Sequence, residues 1–353
     1  MRTLLLAVAC TVALPSAARA VVLDMVTVGN VGNRNDQATG NLYGAVPHEY
    51  QIGKFEVTIG QYCDFLNAVA RDDVFNLYHD GMETSRNTAG ILRSGVSGDY
   101  LYSVMAPSNY APPGASSPRN RPITFVTWFD AARFANWMHN GQPLGAQGPG
   151  TTETGAYTLE GATSGIAPAK NVGAQFYIPT ENEWYKAAYY SPVLNSGSGG
   201  YYAYATQSDS PPGNLIGSDT NQANYWRQEI GYCVTQGNVF SPDQNYLSDV
   251  GAFVNSGSYY GTFDQTGNLA EWNDLISVAA FGRGVRGGRW NTSPPYNLSS
   301  QFSRSTYAAG ELVSNTGFRL AAPIAVPEPS SHAIALAGLA CGGYSMFRRR
   351  RAH

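Results

Sequence analysis

Charge is scarce in this chain. Only 13 % of its 353 residues are Asp, Glu, Lys or Arg, with 22 basic side chains against 25 acidic ones. Without a basic footprint there is nothing to hold a phosphate backbone or an anionic lipid surface, so nucleic acid is excluded as a partner. Histidine numbers five and cysteine four. Outside the terminal segments only His48, His79 and His139 remain, with no His-x-x-x-His spacing, so a histidine-held metal has no support. Cys10 and Cys341 fall in the terminal segments, which leaves Cys63 and Cys233 and room for one disulfide at most. Cys63 lies on the apolar face of an expected helix, where a buried thiol is the simpler alternative. Gly-x-Ser-x-Gly, a phosphate loop and a dinucleotide fingerprint are all missing. What the chain does have is 39 glycines and 23 tyrosines, a composition for loops and short strands rather than long helices.

The two ends read as addresses. Arg2, the apolar run Leu4 to Leu14 and Ala18-Arg19-Ala20 describe a secretory signal over residues 1–20. At the other end, Val326-Pro327-Glu328-Pro329 leads into an apolar run from about Ile334 to Phe347, and Arg348, Arg349, Arg350 and Arg351 follow. A helix of about 15 residues spans roughly 22 Å, short of a bilayer core of about 30 Å but enough to cross a thin membrane as a transmembrane segment. The arginines would keep that end cytoplasmic and the rest outside the inner membrane. This order resembles the PEP-CTERM sorting signal, residues 326–353, which implies processing by an exosortase-type enzyme. Removing both ends takes six of the basic residues and one of the acidic ones, leaving 16 against 24 and a net charge near −8.

Residues 21–325 show no internal repeat and no sharp change of composition, so they read as one domain. Three helices are marked by a threonine followed three residues later by a side chain that reaches back: Thr58 with Gln61, Thr127 with Asp130, Thr180 with Glu183. The first carries an apolar stripe of Ile59, Tyr62, Cys63, Leu66, Val69 and Ala70. The second runs from Trp128 to about His139 and stops at Asn140-Gly141. The third runs from Glu181 to about Tyr190, with Trp184 and Ala188 facing inward. Residues 141–165 and 191–212 read as long ordered loops. Val285 to Trp290 and Gly317 to Ala321 read as short strands.

Six motifs then occur in a fixed order: Gly53-Lys54-Phe55-Glu56-Val57-Thr58, Arg121 to Trp128, Ile178 to Trp184, Gly267-Asn268-Leu269-Ala270-Glu271-Trp272, Arg286-Gly287-Gly288 and Gly317-Phe318-Arg319. In this order they resemble the formylglycine-generating enzyme, or sulfatase-modifying factor, family, from about Val26 to Ala322. The resemblance implies an irregular α+β, C-type-lectin-like fold. Active members oxidise a sulfatase cysteine through two cysteines that bind copper, five residues apart. By resemblance those positions are Thr292 and Asn297 here, and neither is a soft ligand. Arg289 stands where the family often has serine, and Ala270 replaces a tryptophan of the usual motif. The related sulfoxide synthases hold iron with histidines of an extra helical domain that this chain lacks. Copper and iron are therefore not expected, and the chain reads as more a binding module than an enzyme.

Calcium is the expected cofactor, because Asp264 and Glu271 flank a glycine turn and Ca²⁺ takes hard oxygen ligands. By resemblance Asp264 and Glu271 would bind through carboxylates, and Gly267 and Leu269 through carbonyls. A second family site would start at Asn224 and the Tyr225 carbonyl, its acid open among Glu229, Asp243 and Asp249. The competing account has these acids capping backbone amides. Tyr201, Tyr202, Tyr204, Tyr259, Tyr260, Trp290 and Tyr296 lie in loop-like segments, where they pack, stack on sugar rings or fill a peptide groove. The expectation is an exported, calcium-stabilised binding or structural module of the cell envelope or extracellular matrix. Its ligand would be a polysaccharide or protein, with the tail contacting the inner membrane. The alternative is a metal-dependent oxidase of the same superfamily acting on a peptide or protein.

Overall fold

The computed structural model describes residues 20–106, 117–276 and 282–324. The expected leader (Ala20 apart) and the sorting residues Pro327, Glu328, Pro329 and Arg348 to Arg351 lie outside them. Among the described residues no helix is long and apolar enough to cross a membrane; the expected span from Ile334 falls outside that set.

The three helices form where their caps place them: Ile59–Val69, Trp128–His139 and Glu181–Tyr189. Each has the reciprocal cap, as at Thr58, whose hydroxyl accepts from Gln61 N at 3.2 Å while Gln61 Oε1 accepts from Thr58 N at 2.9 Å. A cap of this kind stabilises a helix by about 1 kcal/mol. The apolar stripe of the first helix is buried throughout and meets the second edge-on, Phe65 to Phe134 at 5.3 Å between ring centres. Phe134 in turn packs on Phe318 at 5.4 Å. The second helix is buried on nearly every side, including its polar Arg133 and Asn136. Both polar groups are met by the glycine- and threonine-rich loop: Glu153 takes Arg133 at 2.7 and 3.0 Å, and Thr152 O and Tyr157 O take the Asn136 amide. The loop is thus ordered by what it neutralises.

Two sheets complete the core. In the first, Tyr50–Gly53 lies between Met25–Val28 and Ala321–Pro323, antiparallel to both. In the second the order is Arg304–Ala308, Gly282–Arg286, Ala270–Ile276, Thr316–Gly317, the last pair parallel and the others antiparallel. Few helices and many short strands make this an α+β, C-type-lectin-like fold. Two strand expectations are corrected. The segment expected at Val285 to Trp290 is Gly282–Arg286, because Gly287 and Gly288 turn left-handed at φ 100° and 79° and Trp290 folds back to donate to Asn268 O. The strand expected at Gly317 to Ala321 divides into Thr316–Gly317 and Ala321–Pro323, which serve different sheets.

Candidate functional site

The turn from Asp264 to Glu271 has three residues at positive φ, Asp264 at 63°, Gly267 at 85° and Asn268 at 58°. Gly267 must be glycine for a second reason: a Cβ there would stand 2.3 Å from Asn224 O. That carbonyl accepts from Asn268 N at 2.8 Å, and Asn224 Nδ2 donates to Asn268 Oδ1 at 3.1 Å. The two expected calcium segments are therefore in direct contact. Tyr225 O accepts from Asn214 Nδ2 at 3.2 Å. Each of the three open acids faces an arginine: Glu229 faces Arg227 at 3.5 Å, Asp243 pairs with Arg86, and Asp249 lies 3.9 Å from Arg121.

Glu271, at the start of Ala270–Ile276, is fully buried and meets Arg319 with both oxygens, at 2.6 and 2.7 Å. Trp184 Nε1 donates to the same carboxylate at 2.9 Å. As folded, the cation that Glu271 meets is Arg319. Asp264 accepts from Gly251 N at 2.6 Å. Burial pushes its carboxyl up to about 6, with Glu271 adding to the rise. Beside them lies Glu56, of the motif Gly53 to Thr58, whose spacing carries no sign of a functional acid. It is buried and neither of its oxygens has a hydrogen-bond partner. Burial, then Asp264, then Glu271 hold it well above the usual carboxylate range. Three carboxylates share one guanidinium, so a proton or a further cation must balance the set. Among the described residues no group of three or more His, Cys, Asp or Glu is arranged to hold a metal.

The four degenerate positions come together elsewhere. Ala270, Arg289, Thr292 and Asn297 all line one open groove of about 410 Å³ beside the four-stranded sheet. Thr292 Oγ1 accepts from Arg289 N at 2.8 Å, and Asn297 Nδ2 donates to Ser293 O at 3.1 Å. No cysteine, histidine or acidic residue lines the groove. Cys63 and Cys233 are both buried, unbridged thiols, and burial pushes each up to about 12. The donor set in the groove, arginine, hydroxyl and amide, does not fit Cu(I), which needs thiolates.

Two further arginines line the groove, Arg286, which opens the Arg-Gly-Gly motif, and Arg304, which no motif marks. They lie 18 residues apart and are brought together only by strand register, in which each faces the other directly. Arg286 pairs with Glu181 and donates from Nη1 to Ser300 O at 3.0 Å, while its Nη2 is buried without a partner. Both guanidinium groups lie near the Tyr43 ring, at 5.1 and 5.7 Å from its centre. Of the aromatic candidates, Tyr204 and Trp290 are buried packing groups, whereas Tyr296 is 54 % exposed. Tyr296 stands edge-on to Phe302, which lines the groove and is 56 % exposed.

Residues 15–324 match the model of the sulfatase-modifying factor enzyme 1-like domain, and the chain belongs to that family. Among solved structures it is similar to Treponema denticola variable protein 1, with a TM-score of 0.50, 19 % identity, and coverage of 87 % of this chain and 98 % of that one. It is also similar to CarF, at 0.48 and 21 % over 86 % of this chain and 100 % of that one. PvdO from Pseudomonas aeruginosa gives 0.43 and 16 % over 86 % and 92 %. The likeness to variable protein 1 bears on the fold alone. No curated protein sequence shows significant similarity to the chain.

Proposed function

We propose that this protein is an exported binding module in which the family's copper-cysteine groove has become a ligand groove. One observation carries the reading: Thr292 and Asn297 line an open groove that contains no thiol, imidazole or carboxylate. Without a soft ligand there is no place for Cu(I), and without a carboxylate or imidazole the commonest general bases are missing. A large, polar, accessible surface remains, which suits binding. The terminal segments support location at the cell envelope or in extracellular matrix: a secretory leader, then Pro327-Glu328-Pro329, an apolar run and four arginines. Calcium is proposed as the competitor of the proton for the buried acids. The proton is favoured, since calcium at Asp264 and Glu271 would have to draw Glu271 away from Arg319.

The test is catalytic. The full chain, incubated with Cu(I), oxygen and a sulfatase cysteine peptide, should give no aldehyde by mass spectrometry; turnover that disappears on Arg289 or Asn297 substitution would establish the oxidase instead. For location, deletion of Pro327 to Pro329 should leave export intact and abolish C-terminal processing in a host with an exosortase. Wild-type protein that keeps Arg348 to Arg351 in that host would refute the sorting proposal.

A further inference from the structure

The groove has a charge opposite to that of the molecule around it. The domain is net acidic, near −8 between residues 21 and 325, yet Arg286, Arg289 and Arg304 line the groove and no acid does. Glu181 neutralises Arg286; among the described residues no carboxylate pairs with Arg289 or Arg304. Arg289 donates to the Tyr307 hydroxyl at 2.7 Å and Arg304 to the Tyr43 hydroxyl at 3.1 Å. Each uses one donor on a neutral partner, and a guanidinium has five.

The rest of the lining identifies what carries the anion. Asn291, Ser293, Ser303 and Ser305 offer hydroxyls and amides, and Phe302 offers an exposed aromatic face. Aromatic faces with scattered amides and hydroxyls suit a ring that is apolar on its faces and hydroxylated on its rim. At about 410 Å³ the groove falls within the size range of small-ligand sites, about 300–1,000 Å³.

We propose that the groove binds an acidic saccharide, with Arg289 and Arg304 taking its carboxylate or sulfate and Phe302 stacking on the ring. This rests on the reading of the groove as a binding site. Guanidinium pairs two oxygens of a carboxylate, or of a tetrahedral oxyanion, through two parallel hydrogen bonds, which suits arginine rather than lysine at these places.

Calorimetric titration of the full chain with trigalacturonate, a sulfated galactan oligosaccharide and its desulfated counterpart tests this. One of the two acidic sugars should bind and the neutral one should not, which separates the carboxylate from the sulfate source. Arg304→Gln, at an exposed position, should weaken binding about tenfold, as should Arg289→Gln, corresponding to about 1.4 kcal/mol each. Rising salt should weaken it further. Equal binding of acidic and neutral sugars, unchanged in both variants, overturns the arginine assignment while the binding reading stands. Binding of an acidic peptide but of no sugar overturns the saccharide assignment. If sugars, acidic peptide, inorganic sulfate and inorganic phosphate all fail to bind the folded protein, the binding reading falls with it.

Discussion

Glu271 and Arg319 form a two-toothed ion pair with both side chains fully buried, its contacts 2.6 and 2.7 Å long. Arg319 also donates to Gly53 O at 2.9 Å and Phe263 O at 2.8 Å, so one guanidinium ties both sheets to the turn that precedes Glu271. Replacing Glu271 by Gln would leave a buried charge without its partner, at a cost of about 3–5 kcal/mol. The expected outcome is a large fall in Tm, partly recovered when Arg319→Met is added. Calcium or chelator should leave the wild-type Tm in place. A calcium-dependent rise that Glu271→Gln cancels would show that the carboxylate leaves Arg319 for the ion.

The second prediction concerns pH. Burial raises Asp264 and Asp274 to about 6, whereas an unfolded Asp titrates near about 4. Between those values the folded chain binds more protons than the unfolded one. The stability these two acids contribute by staying protonated should therefore be full below about pH 4, fall as pH rises through the window to about 6, and be gone above it. Asp264→Asn keeps an acceptor for Gly251 N and removes one titration. It should stabilise the protein at pH 7 by on the order of 2–3 kcal/mol and do nothing at pH 4. Denaturant melts across pH measure both, and a stability that rises between pH 4 and 6 would count against the buried-acid account.

Two glycines separate backbone strain from crowding. Gly141 has φ 81° with nothing within 4 Å of an added Cβ, while Gly267 has φ 85° with Asn224 O at 2.3 Å. Gly141→Ala should cost about 1 kcal/mol, the left-handed penalty alone. Gly267→Ala should cost about 1–3 kcal/mol more, because the added carbon must push two backbone segments apart. Equal losses in the two variants would mean that the Asn224 segment moves freely.

The helices were legible because their signal is local: a threonine, a reaching side chain three residues on and an apolar stripe. Strand ends were less so, since Gly287 and Gly288 sit inside a segment whose neighbours all suit a strand. Motif order makes Thr292 and Asn297 the counterparts of the copper-binding cysteines, and only the structure brings both to one groove with Ala270 and Arg289. Glu56 and Glu271 lay in quoted motifs, but nothing in their spacing reveals that one lacks partners and the other is held by Arg319. Arg286 and Arg304 were the hardest to read, because a register of strands, and not any interval along the chain, makes them neighbours.

The first sheet also sets an order of assembly. Tyr50–Gly53 finds one neighbour nearby in Met25–Val28, but the other, Ala321–Pro323, arrives only at the far end of the domain. Phe318, which closes on Phe134, arrives just before it. The first sheet cannot be completed by a chain that is still emerging, since these non-local pairings close only once nearly all of it is present. A chain stopped short of Ala321 would leave Tyr50–Gly53 as an open edge able to pair with other chains. The last few residues of the domain thus close that edge, and truncating them should produce aggregates rather than a slightly smaller folded protein.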